Sequence, residues 1–242
     1  MNSVLVVIPT YNESESIRAL LVRLEKARSQ ISASYKVDIL IVDDNSPDQT
    51  AAIAMGMQLK DLKILNRNNK QGLGPAYLAG FTQGLKDNYE YFVEMDADLS
   101  HQPEQLIDLL SAATNKTLVI GTRWIAGGSV VNWPKRRKWI SKLGTGYASF
   151  ALNLPYRDLT SGYRVLPREF LKQIDFSKIE TRGYGFQIEM ALKAIESGFE
   201  IKEVPITFVE RENGYSKMSM AIIWEAWSMV TLWALRRLIN RR

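Results

Sequence analysis

The sequence predicts an α/β fold, a mostly parallel, Rossmann-like sheet with helices on both faces. Three observations carry that reading. Short apolar, β-branched runs recur along the first half, segments of helical spacing separate them, and polar clusters end the runs abruptly. Residues 4–8 form the first run, and Ile17, Leu20, Leu21 and Leu24 then set one face of a helix over about 15–27. Residues 37–42 read as a second buried strand that stops at the turn-forming Asp43-Asp44-Asn45-Ser46-Pro47. A helix from about Thr50 and a strand near 62–65 follow. Gly72 and Gly74 open a helix over 75–86, with Pro75 suited to its first turn. Residues 91–95 form a strand running straight into Asp96-Ala97-Asp98, Pro103 opens a helix to about Leu110, and 118–121 is a further strand. Beyond it come a Gly- and Trp-bearing segment over 127–139, a helix near 140–152, a loop over 158–164 and a helix over 186–197.

At 242 residues the chain can bury a full core as one large domain. It divides into residues 1–218, which carry the sheet, and an amphipathic, Trp-rich and basic segment over 219–242. With 46% hydrophobic and 24% charged residues, disorder is not expected. The absence of cysteine excludes disulfides and thiolate metal sites, and the single histidine, His101, excludes a two-histidine cluster. A metal must then rest on carboxylates and phosphate oxygens, which selects a hard cation such as Mg2+ or Mn2+.

The net charge is +5, and basic residues bunch at Lys135, Arg136, Arg137 and Lys138 and again at Arg236, Arg237, Arg241 and Arg242. Both runs adjoin apolar or aromatic residues, a pattern expected beside anionic lipid headgroups. Residues 220–235 are apolar but interrupted by Glu225 and shorter than the ~20 residues a spanning helix needs. An in-plane amphipathic helix is expected there, with Trp224, Trp227 and Trp233 as candidate interfacial residues, and a core helix packed on the domain is the alternative. The first strand starts almost at once, so no secretory leader is expected.

In parallel sheets ligands bind at the carboxyl ends of the strands. Residues 9–13, 43–48 and 96–101 all fall at those ends. Asp96-Ala97-Asp98 is the sharpest signal, because two carboxylates two residues apart at a strand end can approach one divalent cation and leave positions for diphosphate oxygens. Residues 9–13 suit either a helix cap, through Asn12 or Ser14, or a base-binding loop through Tyr11 and Glu13. Asp43 and Asp44 suit either an acidic turn or contacts to a base or ribose. Gly72 and Gly74 lack the third glycine and the position of a dinucleotide fingerprint, and no GxxxxGK[ST] loop is present.

Together PTYNE, VDDNSPDQT, MDADLSHQPE, GTRW, TSGYR, RGYGFQIEM and EVPITFVERENGYSKMS resemble the polyprenyl (dolichyl) phosphate mannose synthases. These are inverting nucleotide-diphospho-sugar transferases of glycosyltransferase family 2 with the A-type fold. The likeness covers residues 4–220, and GGSVVNW with its basic stretch is similar to bacterial members without membrane spans. It implies transfer of mannose from GDP-mannose to a polyprenyl phosphate with inversion. The alternative keeps the fold but takes glucose or another sugar from a UDP donor; a sugar-nucleotide pyrophosphorylase is disfavoured because PTYNE stands where its Gly-rich loop would be.

Carried over by position, the resemblance assigns Pro9, Tyr11, Glu13, Val42 and Asp44 to guanosine. Asp96, Ala97 and Asp98 go to the metal and diphosphate, Arg123 to the transferred phosphate or sugar, Arg211 and Lys217 to the diphosphate, and Arg137 and Ser141 to the lipid phosphate. Arg137 and Ser141, four apart, share a helix face, and arginine gives planar phosphate recognition. Gln187 and Glu189, two apart, cannot both face a site, so a structural role is expected for one. Asp158 is expected to be structural or sugar-orienting. The implied location is peripheral, at the cytoplasmic face of the cell membrane, held directly or through a recruiting membrane protein, with no nucleic-acid partner.

Overall fold

The computed structural model describes residues 1–181, 183, 185–211 and 220–240, the last stretch as backbone alone at 220–223, 225, 226 and 238–240. The expected alternation is present. In chain order the elements are β1 (Asn2–Thr10), α1 (Ile17–Gln30), β2 (Tyr35–Asp43), α2 (Thr50–Gly56), β3 (Leu62–Asn66), α3 (Leu73–Gly84), β4 (Tyr91–Glu94), α4 (Leu106–Ser111) and β5 (Thr117–Thr122). The second half adds β6 (Ser129–Val131), α5 (Lys135–Leu152), β7 (Arg164–Pro167), α6 (Arg168–Gln173), α7 (Gly185–Glu196), β8 (Glu200–Pro205), β9 (Thr207–Val209) and α8 (Met220–Asn240).

Seven strands form one sheet in the order β3-β2-β1-β4-β7-β5-β8. The chain winds outward from β1 through β2 to β3 and then returns to place β4 on the other side of β1. The switch point thus lies between β1 and β4, where a doubly wound sheet opens a crevice at its carboxyl edge. β7 is antiparallel to both β4 and β5, and the remaining pairs are parallel. β6 and β9 pair in parallel as a separate ribbon.

Because strand side chains alternate in direction, β1 sends Leu5 and Val7 to one face and Val4, Val6 and Ile8 to the other. Each face has its own core. One is closed by α1, α2 and α4; the other by α3, α5, α7 and α8. Helix α3 lies very close to the sheet. A Cβ at Gly80 would stand 2.4 Å from Val7 Cγ1 and 3.1 Å from Val42 Cγ2, and one at Gly84 would stand 2.4 Å from Leu5 Cδ2. Spaced four apart, these two glycines form a flat stripe that lets the helix backbone approach.

Several expectations need correction. Helix α5 begins at Lys135, not near Ile140, so the basic run is its first turn. Residues 9–13 do not cap a helix: the N-cap of α1 is Ser16, and Asn12 is left-handed with φ 57°. β7 begins at the last residue of the segment read as loop and runs on through a stretch given no element, and β6, β8 and β9 are too short or too polar for their periodicity to stand out. Helix α8 packs on the domain, as the alternative reading of this segment has it. Val230 and Trp233 are 1% and 8% exposed and belong to the core beneath α7, so Trp233 is not an interfacial residue. No helix among the described residues is long and apolar enough to cross a membrane.

The glycine stripe makes a direct prediction. Gly80→Ala overpacks a closed contact and is expected to lower unfolding free energy by about 1–3 kcal/mol in denaturant titration. Gly146→Ala on α5, where nothing lies within 4 Å, is expected to be neutral or stabilising by up to ~1 kcal/mol.

Candidate functional site

Two loops frame the carboxyl ends of β1 and β2, and they are laced together. The main-chain N–H groups of Asn12, Glu13 and Ser14 donate to Ser46 Oγ (3.1 Å), Thr50 Oγ1 (3.0 Å) and Asp48 Oδ2 (2.9 Å). Asp43 is consumed within this frame, accepting from Thr10 Oγ1 at 2.7 Å and Ser46 N at 2.8 Å. Short polar side chains that bond nearby backbone are what this cluster is made of, so the sequence specifies the loop locally.

Beside this frame a cleft of about 600 Å3 runs along the sheet edge. Nine of the expected residues line it: Pro9, Glu13, Asp96, Ala97, Asp98, Arg123, Arg137, Ser141 and Arg211. Three do not. Tyr11 stands behind Lys70, whose Nζ lies 4.2 Å from its ring centroid. Val42 is fully buried beneath α3, so its side chain supports the bed rather than lining it. Asp44 is 4% exposed and ion-paired to Arg67 at 2.8 Å, which ties the 67–71 loop to the end of β2. Burial raises the Asp44 carboxyl above its usual range despite Arg67. Lys217 lies outside the described residues, as do Arg241 and Arg242.

After β4 the chain turns through Asp98 and Leu99, a bulky residue in the left-handed region (φ 64°), which is costly for a branched side chain and folds Asp98 back over the strand end. Arg211 pairs with Asp98 at 3.1 Å. Burial works to raise Asp98, but Arg211 and the Ser100 hydrogen bonds outweigh it and hold the carboxyl below its usual range. Asp98 is therefore held in its ionised form. No three acidic or histidine side chains converge among the described residues. Any cation held by Asp96 and Asp98 would therefore need oxygens from a ligand to complete its shell.

His101, at the next strand-end position, is 1% exposed and stacked on Tyr163 with ring centroids 5.0 Å apart. Its Nδ1 accepts from the Asp96 N–H at 3.0 Å, which places the ring proton on Nε2. Beneath the carboxylates Glu94 is fully buried. Burial pushes it up to about 7, against the pull of Arg164 and the Gln187 amide. Arg164, also fully buried, donates to the carbonyls of Leu159 (2.7 Å), Ser161 (2.7 Å) and Gln187 (2.6 Å).

Arg123 reaches the cleft already charge-balanced. Its Nε and Nη2 donate to Asp158 at 2.7 Å each, a two-pronged pair with Asp158 fully buried. Asp158 is accordingly structural, and its carboxylate is spent on Arg123. At the other end Arg137 is ion-paired to Glu210 and lies over Trp133, 4.3 Å from its ring centroid. The FQIEM pair divides as expected. Glu189 accepts from Glu180 N, Thr181 N and Thr181 Oγ1, while Gln187 faces the cleft.

Trp133, Gly162 and Phe208 line the same cleft, and sequence reasoning did not single them out. Trp133 and Phe208 meet because β6 pairs with β9, a long-range contact with no local sequence signal. The cleft opens between α5 and α8, lined there by Ile140, Leu143, Gly144 and Tyr147 and by Trp227 and Val230. Trp227 stacks on Tyr147 at 4.6 Å.

Residues 5–175 match the family model described as "Glycosyl transferase family 2". The chain is 46% identical over 241 residues to a polyprenol monophosphomannose synthase of Mycolicibacterium smegmatis, covering 98% of this chain and 89% of that one. It is 49% identical to an undecaprenyl-phosphate mannosyltransferase of Micrococcus luteus, covering 96% and 94%. Among solved structures, glucosyl-3-phosphoglycerate synthase from Mycobacterium tuberculosis, with Mn2+, UDP-glucose and phosphoglyceric acid, superposes with a TM-score of 0.69 at 16% identity. That match covers 96% of this chain and 79% of that one, and at this identity the likeness is one of fold.

The buried imidazole makes stability pH-dependent. Burial lowers the His101 pKa below 6.5, so below that pH the unfolded chain takes up a proton that the folded one refuses. Stability is full above about pH 6.5 and falls as the pH drops toward the folded pKa. Thermal unfolding from pH 7.5 down to 5.5 is expected to show a larger loss in the wild type than in His101→Gln; equal losses would remove His101 as the cause.

Proposed function

Because the chain belongs to glycosyl transferase family 2, we propose that it moves mannose from GDP-mannose to a polyprenyl phosphate at the membrane surface, with inversion and with a divalent cation. The observation that carries this reading is a single cleft with two unlike ends. One end presents Asp96 and Asp98 beside Pro9 and Glu13. The other presents Arg137 and Ser141 beneath an apolar mouth between two helices.

An anionic donor needs its leaving diphosphate neutralised. Asp96 and Asp98 would hold the cation, which supplies electrostatic stabilisation of the departing nucleoside diphosphate. Arg211, now on Asp98, is placed to turn toward the same diphosphate once a cation takes over that carboxylate. Lys217 is assigned to the diphosphate by resemblance. Tyr11, Glu13 and Pro9 would frame the base, with Asp44 and Val42 shaping the bed behind them.

A phosphate monoester acceptor has a second pKa of about 6, so its oxygen is anionic near neutral pH and needs no general base. At the acceptor end Asp158 is spent on Arg123, while Glu210 is paired with Arg137. The lipid phosphate would take the Arg137 guanidinium from Glu210, with Ser141 one turn along the same face. Holding the two anions in one cleft turns a collision between charged partners into an oriented attack on the anomeric carbon.

The surface around the mouth supports peripheral membrane docking. Trp139, Leu143 and Phe150, spaced i, i+4 and i+11, form one outward stripe of α5 and are 67%, 61% and 87% exposed. Lys135, Arg136 and Lys142 flank that stripe, and Trp224 of α8 is equally exposed. An apolar stripe edged by lysine and arginine suits an anionic lipid surface.

Two experiments test these points. With Mg2+ present, GDP-mannose is expected to raise the melting temperature well above any shift from UDP-glucose, and Asp98→Ala is expected to abolish metal-dependent transfer; a larger shift with UDP-glucose would move the reading to that donor. Removing the outward stripe with Trp139→Ser, Leu143→Ser and Phe150→Ser together is expected to release the protein from sedimenting anionic vesicles without lowering its melting temperature. Undiminished vesicle binding would count against α5 as the docking face.

A further inference from the structure

Gln187 sits in the cleft wall at 2% exposure, and neither its Oε1 nor its Nε2 has a hydrogen-bond partner of normal geometry among the described residues. Leaving such a group unmatched costs on the order of 1–3 kcal/mol, so buried amides are nearly always paired with protein, water or ligand. The position is not loosely held. Arg164 grips the Gln187 carbonyl at 2.6 Å, and Glu189, two residues on, anchors the start of α7 to Thr181. The backbone is fixed, while the amide is met among the described residues only by a loose contact with Glu94 and keeps hydrogen-bonding capacity for a ligand.

The space in front of it has a definite shape. A Cβ at Gly162 would stand 3.6 Å from Gln187 Nε2, 3.6 Å from His101 Cε1 and 3.8 Å from Asp96 Oδ1. Glycine here leaves a notch whose walls are an amide, the edge of an imidazole and one of the paired carboxylates. Its backbone is not left-handed, so the missing side chain serves space rather than conformation.

We propose that Gln187 is the specificity-determining residue for the transferred sugar, reading its hydroxyls as the ring seats in the notch over Gly162. The inference rests on the sugar-transfer reading above and names a residue within that site. An amide offers two donors and two acceptor lone pairs, a match for hydroxyls that both give and take a hydrogen bond. The notch adjoins Asp96, and the sugar is joined directly to the diphosphate that this carboxylate end would hold. The base-binding loop lies elsewhere, around Tyr11 and Glu13. An amide carries no titratable proton, so Gln187 reads and orients the sugar and takes no part in proton transfer.

The experiment compares GDP-mannose with a set of singly deoxygenated GDP-mannoses, using the wild type, Gln187→Leu, the nearly isosteric Gln187→Met, and Gly162→Ala. The alanine methyl meets only ordinary contacts, so that variant folds while filling the notch. In both Gln187 variants kcat/KM for GDP-mannose is expected to fall roughly 10- to 100-fold, with GDP affinity changed less than about twofold. The wild type should penalise loss of one particular hydroxyl, and both Gln187 variants should lose that penalty. Gly162→Ala should show the same donor-specific fall with GDP binding intact. Wild-type discrimination surviving in both Gln187 variants, or GDP binding falling in step with the sugar donor, would overturn the assignment. A wild type that turns over UDP-glucose instead moves the same comparison to deoxyglucose donors. One that transfers no sugar at all sinks the sugar-transfer reading and this inference with it.

Discussion

Much of the site hangs on one buried guanidinium. Arg164 lies on the antiparallel strand β7, pressed between β4 and β5, and is fully buried. Its donors go to three main-chain carbonyls, of Leu159, Ser161 and Gln187, and Glu94 stands opposite it in the ladder. Burial lowers its pKa to about 10, still far above neutrality, so the charge persists. A charge held there without those acceptors would be prohibitively costly, and this forces the 159–161 loop and the start of α7 into one arrangement. Asp158, Gly162 and Gln187 take their places from it, and Arg123 takes its place from Asp158.

Electrostatic compensation governs the cleft above. Three of the cleft's charges are matched by opposite ones: Asp98 by Arg211, Arg137 by Glu210, Arg123 by Asp158. The first two pairs retain some exposure on both partners, whereas Asp158 has none and Arg123 very little. A pair that keeps some contact with water exchanges with other charges more easily than a desolvated, two-pronged one. The cleft therefore combines one fixed cation with two pairs that are less tightly held. Glu210 and Arg211 are adjacent in sequence, so these two pairs meet at one short stretch just after β9.

The neighbouring helices divide two tasks that a sequence pattern tends to merge. Helix α8 contributes Val230 and Trp233 to the core and Trp227 to the cleft mouth, leaving Trp224 outward. Helix α5 keeps Thr145, Ala148 and Leu152 inward and shows an apolar stripe outside. Aromatic residues on one helix thus serve packing, lining and surface at once. Which one does which depends on the rotation of the helix against its neighbours.

The sequence by itself determined the alternating strands and helices, the doubly wound sheet, and the acidic cluster at its carboxyl edge, because these follow from local periodicity and turn chemistry. It also foresaw from helix geometry that Gln187 and Glu189 must part ways, whereas the pairing of Arg137 with Ser141 came from the family resemblance, with their spacing in agreement. Short or polar strands such as β6, β8 and β9 escaped it, because three to six residues carry too little period to read. The antiparallel β7 was invisible for another reason: its direction is set by partners that lie about 70 residues before it and about 45 before it along the chain. Only the tertiary structure decided that Trp233 is core, that Val42 and Asp44 support the bed, that Asp158 is spent on Arg123, and that Gly162 leaves a notch beside Gln187. Each of those is a matter of which side chain meets which across the fold, and burial and pairing between distant segments leave no mark in the spacing of residues along one of them.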